Sequence, residues 1–595
     1  MNNVKEEVVL SGVPASPGIA IGTALVLGGR ITQVERKAIT PTQIPAELAN
    51  FDKALAKTKA QLLEIQKRVQ EELDDSDARI FDAHLLIIDD QTLVNEAKET
   101  VRKELVNIDF AFNQIIQRYV KAMSKISDPY IKERGADITD VASRVLSNIH
   151  GLELEPLSKL PGQRIIISAD LKPSDTAALD RDNAQAFATE TGSRTSHAAI
   201  MARSMKIPAA VGVKPSIAGI RNGDIVIVDG YTGTVVVNPS AETLNLYAQK
   251  EARGGQMQSD LLSESRLRPE TIDGFRIQLA ANIELPEDVE DAKRYRAAGI
   301  GLYRTEYMYI NRNDLPDEEE QFLVYRDIVS RMEGKPVIIR TMDLGGDKLT
   351  DIVNYQHEDN PFLGYRAIRL CLGFPKIFRK QLRAIFRASH YGNTKIMFPM
   401  ITCAEEIDQI HEILDDIKKE LRAEKLPFDE NIETGIMIET PSAAIIADRL
   451  ASKVDFFSIG TNDLVQYTLA VDRNSEKMDY LYQPTHPAIL ALIKQVATAA
   501  RAHGIWVGVC GEMAGDPKYT ALLLGIGVHE LSMSPVSMGP IRRLIRKIKM
   551  HEAEDLADKA LRCSTAKEAQ ALSDAFLQQV APEVFSLTTR GFVDV

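Results

Sequence analysis

The chain has 595 residues, 44% hydrophobic and 26% charged, a balance that excludes wholesale disorder. At roughly 150 residues per domain, that length makes about four domains, or fewer if one is a large barrel. Acidic residues outnumber basic ones 84 to 71, for a net charge of −13, which argues against a general nucleic-acid binder. No apolar run approaches the ~20 residues of a bilayer span, and the start, MNNVKEEVVLSG, lacks a secretory apolar core. The reading is a cytoplasmic protein. Cys371, Cys403, Cys510 and Cys563 are far apart with no CxxC pair, so neither a disulfide framework nor a thiolate zinc site is expected.

In chain order, VVLSGVPASPGIAIGTALVL alternates short β-type runs with Gly and Pro. Leu48, Phe51, Leu55, Leu62, Ile65, Val69 and Leu73 then recur at helical spacing. Further helical stretches follow from Ile80, around Phe112 to Met123, and through Ile138 to Ile149, which together make a helical bundle. After Gly151 the β texture returns in RIIISAD and QAFATE. It closes with IVIVDGYTGTVVVN, where Asp229-Gly230 and Thr232-Gly233 mark hairpin turns. The expected organisation is one α/β domain split between residues 1–30 and 151–238, with residues 31–150 as a helical insertion. Residues 239–268, polar and helix-compatible with Gly254-Gly255 inside, read as an interdomain linker.

Residues 269–595 carry eight short apolar segments separated by helix-length stretches: FRIQLAANI, GIGLYRTE, PVIIRTMD, TKIMFPMI, TGIMIET, VDFFSIGTND, IWVGVCGE and GVHELSMS. Eight β/α units predict a (β/α)₈ barrel. An open doubly wound sheet is the alternative, but its Gly-x-Gly-x-x-Gly is missing.

Barrel chemistry sits at the C-terminal strand ends, and the segments end there with Arg304, Arg340, Glu439, Asn462-Asp463 and Cys510. Two arginines suit a multiply charged anion, because guanidinium forks bind phosphate and carboxylate bidentately. Glu439 and Asp463 are two hard oxygen ligands, few enough to leave open positions on an octahedral Mg²⁺. Asn462 can donate to a phosphate, Arg473 follows in the next loop, and DLGGDK adds Gly345-Gly346 and the cation Lys348. Each residue alone also reads as a surface salt bridge. Jointly they suggest a site for a small phosphorylated carboxylate with Mg²⁺.

A second informative stretch is TGSRTSHAAIMARSMKIPAAVG. Small and hydroxyl residues run into a helix start, which offers N–H groups to an anion, and His197 stands beside them. Neutral imidazole is a competent nucleophile for phosphoryl transfer; a helix-capping or packing role is the bland reading. His84, His150, His486 and His503 lack such a setting and read as structural or solvent-exposed.

At these residues the chain resembles the phosphoenolpyruvate-utilising phosphotransferases, and within them the enzyme I type of the bacterial phosphotransferase system. The resemblance runs through ASPGIAIG, RTSHAAIMAR, YRTEYMY, RTMDLGGDK, NPFLGYRAIR, MIETPSA, FFSIGTNDLVQY, DRN and VCGEMAGDP, nearly the whole chain. It implies that His197 is phosphorylated and that Arg304 and Arg340 bind the phosphate, with Arg473 and Asn462 assisting. It further implies that Glu439 and Asp463 hold Mg²⁺ and that Cys510 protonates the departing enolate. The helical insertion would dock the phosphocarrier HPr, and the barrel would form a homodimer. One departure is Gly192-Ser193, where the family pattern has two glycines before Arg-Thr-Ser-His.

The acidic run EELDDSD would steer a basic carrier, or simply be a solvated loop. The alternatives are an enzyme like pyruvate phosphate dikinase or phosphoenolpyruvate synthase, and a non-catalytic regulator. The former needs a nucleotide-binding domain of which no motif appears; the latter fits poorly with His197, Cys510 and both carboxylates in place. With no sensory segment ahead of ASPGIAIG, the sugar-uptake branch is favoured over a nitrogen-regulatory one.

Overall fold

The computed structural model describes residues 6–27, 34–72, 81, 84–123, 129–151, 162–169, 171, 183–192, 198–199, 202, 205, 207–214, 216–309, 314–345, 358, 360–473 and 476–590. The chain forms two compact units, residues 1–254 and 255–595.

In the first unit, seven strands close a small barrel in the order β1-β5-β4-β3-β2-β6-β7. They are β1 (Val8–Ser16), β2 (Ile19–Leu27), β3 (Arg164–Ser168), β4 (Ala184–Thr189), β5 (Ala209–Lys214), β6 (Ile225–Asp229) and β7 (Thr234–Val237). β2 lies parallel to β3, with Ala24 opposite Ile165, so residues far apart in sequence share one sheet. That register makes the α/β domain a split one, as the returning β texture implies. Ile165, Ile167, Ala186, Ala188, Val226 and Val228 fill its core. The β6–β7 turn is shaped by Asp229, whose carboxylate accepts from the N–H groups of Tyr231 and Thr232.

Between β2 and β3 lie the helices Ile44–Glu72, Gln91–Glu104, Ile108–Met123 and Pro129–Ile149. Phe51, Val101, Ile108, Phe112 and Val145 meet in their core, with Phe51 and Phe112 tilted at 5.2 Å. The helical stretch read from Ile80 is interrupted: Asp90 caps a new helix by accepting from Thr92 N–H at 2.8 Å. An apolar periodicity count overlooks such a cap, because the stripe continues across the break.

Residues 239–268 contain a 23-residue helix, Ala241–Ser263. Ser240 starts it, accepting from Thr243 N–H at 3.1 Å. Gly254-Gly255 costs about 1 kcal/mol per glycine against alanine, and the helix runs through it.

The second unit holds eight parallel strands closed in the order β10-β11-β12-β13-β14-β15-β8-β9: β8 (Gln278–Ile283), β9 (Ile300–Tyr303), β10 (Val337–Arg340), β11 (Thr394–Phe398), β12 (Glu433–Ile438), β13 (Phe456–Ile459), β14 (Trp506–Val509) and β15 (Glu530–Met533). Each coincides with one of the eight apolar segments, β12 starting one residue ahead of its own, so the chain forms the expected (β/α)₈ barrel. Alternation explains why the segments read as unbroken apolar runs. Leu302, Ile338, Met397, Met437 and Phe456 fill the lumen, while Ile339, Ile396, Ile436 and Phe457 face the helical layer. Among the described residues no helix is long and apolar enough to cross a membrane.

Candidate active site

The barrel topology puts Arg304, Arg340, Glu439, Asn462, Asp463 and Cys510 at one end of the lumen: Arg304, Arg340, Glu439 and Cys510 end or directly follow a strand, and Asn462 and Asp463 open the helix that follows β13. Arg340, the last residue of β10, is buried. Its Nη2 lies 3.1 Å from Glu306 Oε2 and its Nη1 3.0 Å from Asp343 Oδ2, with Met437 Sδ at 3.8 Å from Nη1. Its Nε, also buried, has no hydrogen-bond partner. Burial opposes the charge of this guanidinium, but Glu306, Asp343 and Glu439 outweigh that and raise its pKa.

Asp343 is shared between two cations. Its other oxygen, Oδ1, lies 2.8 Å from Arg366 Nη2. Burial pushes the Asp343 carboxyl up, yet Arg340 and Arg366 hold it below the ordinary carboxylate range. Arg366 also donates to the Tyr467 hydroxyl at 3.1 Å and lies 3.8 Å from Asp463.

Glu439 is almost wholly buried and accepts from Met400 N–H at 2.6 Å. Met400 holds φ +60° to do so, a conformation that non-glycine residues seldom adopt outside functional sites. A Cβ on Gly460 would come within 2.8 Å of Glu439 Oε2, so any side chain there would have to displace this carboxylate. Burial, then Asp463 and Asp343, push the Glu439 carboxyl well above its usual range.

Asp463, in the first turn of helix Thr461–Leu469, has a buried Oδ1 with no hydrogen bond and Arg473 3.7 Å away. Asn462 and Glu512 hold each other: Asn462 Oδ1 accepts from Glu512 N–H at 2.8 Å. Half-buried Arg304 pairs with Glu284.

Cys510 closes the lumen side. Asn282 Nδ2 donates to its carbonyl at 2.9 Å, and Ser532 Oγ fixes Asn282 at 2.6 Å. Burial pushes the thiol up to about 11, against a lowering hydrogen bond from Ser458, so at neutral pH it keeps its proton.

The structure therefore gathers Arg304, Arg340, Glu439, Asn462, Asp463, Arg473 and Cys510 at one mouth. His197, Ser193, Lys348 and most of the EELDDSD run lie outside the described residues. Glu306, Asp343, Arg366 and Tyr467 were given no role in the sequence reading. Glu306 and Asp343 lie two and three residues beyond Arg304 and Arg340, where a search of strand ends extended by one turn finds them. Arg366 has no strand-end signal. Its place depends on the chain returning to the mouth, with Ala367 at φ +54° donating its N–H to Leu344 O at 3.0 Å.

The donor set fits a divalent cation that prefers oxygen. Two buried carboxylates stand together, Asp463 helping to raise the proton affinity of Glu439, and Asp463 Oδ1 accepts no hydrogen bond. An ion held by two carboxylates retains positions for further ligands.

Residues 11–134 match the N-terminal domain of PEP-utilising enzymes, residues 160–233 their mobile domain and residues 260–550 their PEP-binding domain. The chain is 46% identical over 568 residues to the phosphoenolpyruvate-protein phosphotransferase of Bacillus sp. (strain S), which covers 96% of this chain and 98% of that protein. Its identity to the Bacillus subtilis (strain 168) protein of the same name is 46% over 559 residues, 94% and 98% of the two chains. For the Haemophilus influenzae protein of that name it is 44% over 569 residues, 96% and 99%.

Proposed function

Because the chain belongs to the family of phosphoenolpyruvate-protein phosphotransferases, we propose that it moves the phosphoryl group of phosphoenolpyruvate to His197 and then to a histidine of an HPr-type phosphocarrier, releasing pyruvate. The observation that carries this reading is the barrel mouth, where buried Arg340 and Arg366 stand beside Glu439, Asp463 and a protonated Cys510.

Phosphoryl transfer asks mainly for positioning and charge neutralisation. Arg340, through its unpaired Nε–H, and Arg366 neutralise the phosphoryl oxygens; Arg304, Arg473, Lys348 and Asn462 complete the cradle. Glu439 and Asp463 would hold Mg²⁺, which stabilises negative charge on substrate oxygens. Cys510 acts after transfer, giving its proton to the enolate carbon, and a thiol held near 11 is the right state for an acid. The helical bundle of the first unit is the docking surface for the carrier, and the barrel is the dimerising part. The protein works in the cytoplasm.

The test is labelling with [³²P]phosphoenolpyruvate and Mg²⁺, without nucleotide. Acid-labile label should appear on the wild type, pass to an HPr-type carrier, and be absent from His197→Ala. The same variant should still bind phosphoenolpyruvate within a few-fold by calorimetry. Full labelling of His197→Ala would remove this histidine from the reaction.

A further inference from the structure

We propose that Asp343 is a positioning residue, which sets the spacing and orientation of Arg340 and Arg366 so that the two guanidiniums form a preset cradle for the phosphoryl group. The inference rests on the reading of this mouth as the phosphoenolpyruvate site.

The geometry is that of one carboxylate divided between two cations. Oδ2 meets Arg340 Nη1 at 3.0 Å and Oδ1 meets Arg366 Nη2 at 2.8 Å, so the width of a carboxylate fixes how far apart the guanidiniums stand. Without it, two long side chains of like charge would repel and sample many rotamers. Asp343 is itself held from behind. Its N–H donates to Glu306 Oε1 at 2.9 Å, and the other oxygen of Glu306 takes Arg340 Nη2 at 3.1 Å. Arg340, Glu306 and Asp343 thus close a ring of contacts.

Arg366 is fixed at its far side by the Tyr467 hydroxyl, which donates to Phe362 O at 2.6 Å. The backbone bridge between Gly345 and Arg366 brings the arginine back beside the segment after β10 that carries Asp343. A residue serving only the fold would satisfy its partners. Here the pinned Arg340 keeps a buried Nε–H unused. A donor held in place but left free is arranged for a group that arrives later.

Asp343→Asn keeps the shape but offers a single carbonyl acceptor, and its amide N–H groups face a guanidinium. One arginine is released: still able to attract an anion, no longer aimed. Rapid-quench labelling from [³²P]phosphoenolpyruvate should therefore show a full amplitude with a rate constant about 30- to 100-fold lower, while KM changes less than about 3-fold. A reduced amplitude at the wild-type rate would mean that Asp343 serves the fold alone, and overturns the proposal, as does an unchanged rate.

Asp343→Glu decides the matter should the amide variant fail to fold. It keeps the charge but displaces it by one methylene, so a slowed rate at full amplitude supports positioning and a wild-type rate overturns it. Failure of the wild type to take label would overturn the functional reading itself; labelled wild type with unaffected variants overturns only the role of Asp343.

Discussion

At the C-terminal end of the barrel strands Glu306, Asp343, Glu439 and Asp463 crowd against Arg340, Arg366 and Arg473, with Arg340 Nε and Asp463 Oδ1 making no hydrogen bond. At the opposite end Lys395 meets Glu433 at 2.6 Å and lies 5.1 Å over the Trp506 ring, which stacks on Phe456 at 4.6 Å. The same strands supply both ends. The lower end is closed by paired charge and stacked rings, which is what stability asks for. The upper end keeps like charges together and a backbone at positive φ in Met400, which stability alone would remove. The difference teaches where this fold gives up free energy for chemistry.

The largest expected effect breaks the upper end chemically. Cys510→Ala should cost on the order of 10²–10⁴ in steady-state pyruvate formation, the range for a lost general acid. Phosphoryl transfer precedes that proton, so a single turnover should still label the protein. Normal turnover in the variant, with intact stereochemistry of protonation of a stereospecifically C3-labelled substrate in deuterated water, would return Cys510 to the core.

Next comes Arg340→Lys, with an expected loss of about 10²–10³ in the single-turnover labelling rate. An ammonium cannot bridge Glu306 and Asp343 and still offer a side-on donor. Wild-type turnover in this variant would show that the fork is not used.

A smaller effect sharpens the contrast in stability. Glu439→Gln removes a carboxyl whose ionisation burial and its neighbours oppose, so without Mg²⁺, at a pH high enough to ionise it, the variant's melting temperature should exceed the wild type's by about 2–4 °C. Since burial and its neighbours raise the Glu439 pKa, the wild-type penalty grows as pH rises through that raised value. Added Mg²⁺ should stabilise the wild type and leave the variant unmoved. Equal Mg²⁺ shifts in both would take Glu439 out of the metal site.

Much of this contrast was legible in the chain. The eight apolar segments mark the strands because a strand buried on both faces leaves an unbroken apolar run, and the barrel then places whatever ends each run. Arg340, Glu439, Asp463 and Cys510 come out of that logic. Arg366 does not, because no strand ends before it; its bridge to Gly345 and its contacts with Asp343 and Tyr467 bring it to the mouth. The Asp90 cap was hidden for a different reason: a cap acts through single hydrogen bonds that periodicity averages away.

The lower end has one exception, and it supplies the smallest test. Glu530, the first residue of β15, is buried, and its carboxyl is pushed up to about 7, by burial acting against the nearby Lys395. An acid whose folded pKa exceeds its unfolded value of 4.5 binds more protons in the native state, so native stability falls as pH rises between the two values. Below about pH 4.5 the group costs nothing. Above about pH 7 the whole penalty is present, on the order of 3 kcal/mol for a shift of this size. In Glu530→Gln that slope should vanish: relative to wild type, the variant gains a few degrees in melting temperature between pH 5 and pH 8. Only the difference between the two pH values counts, because a buried amide has costs of its own at both. Parallel curves for the two proteins would mean that Glu530 stays ionised beside Lys395, and that the lower end of the barrel is fully paired after all.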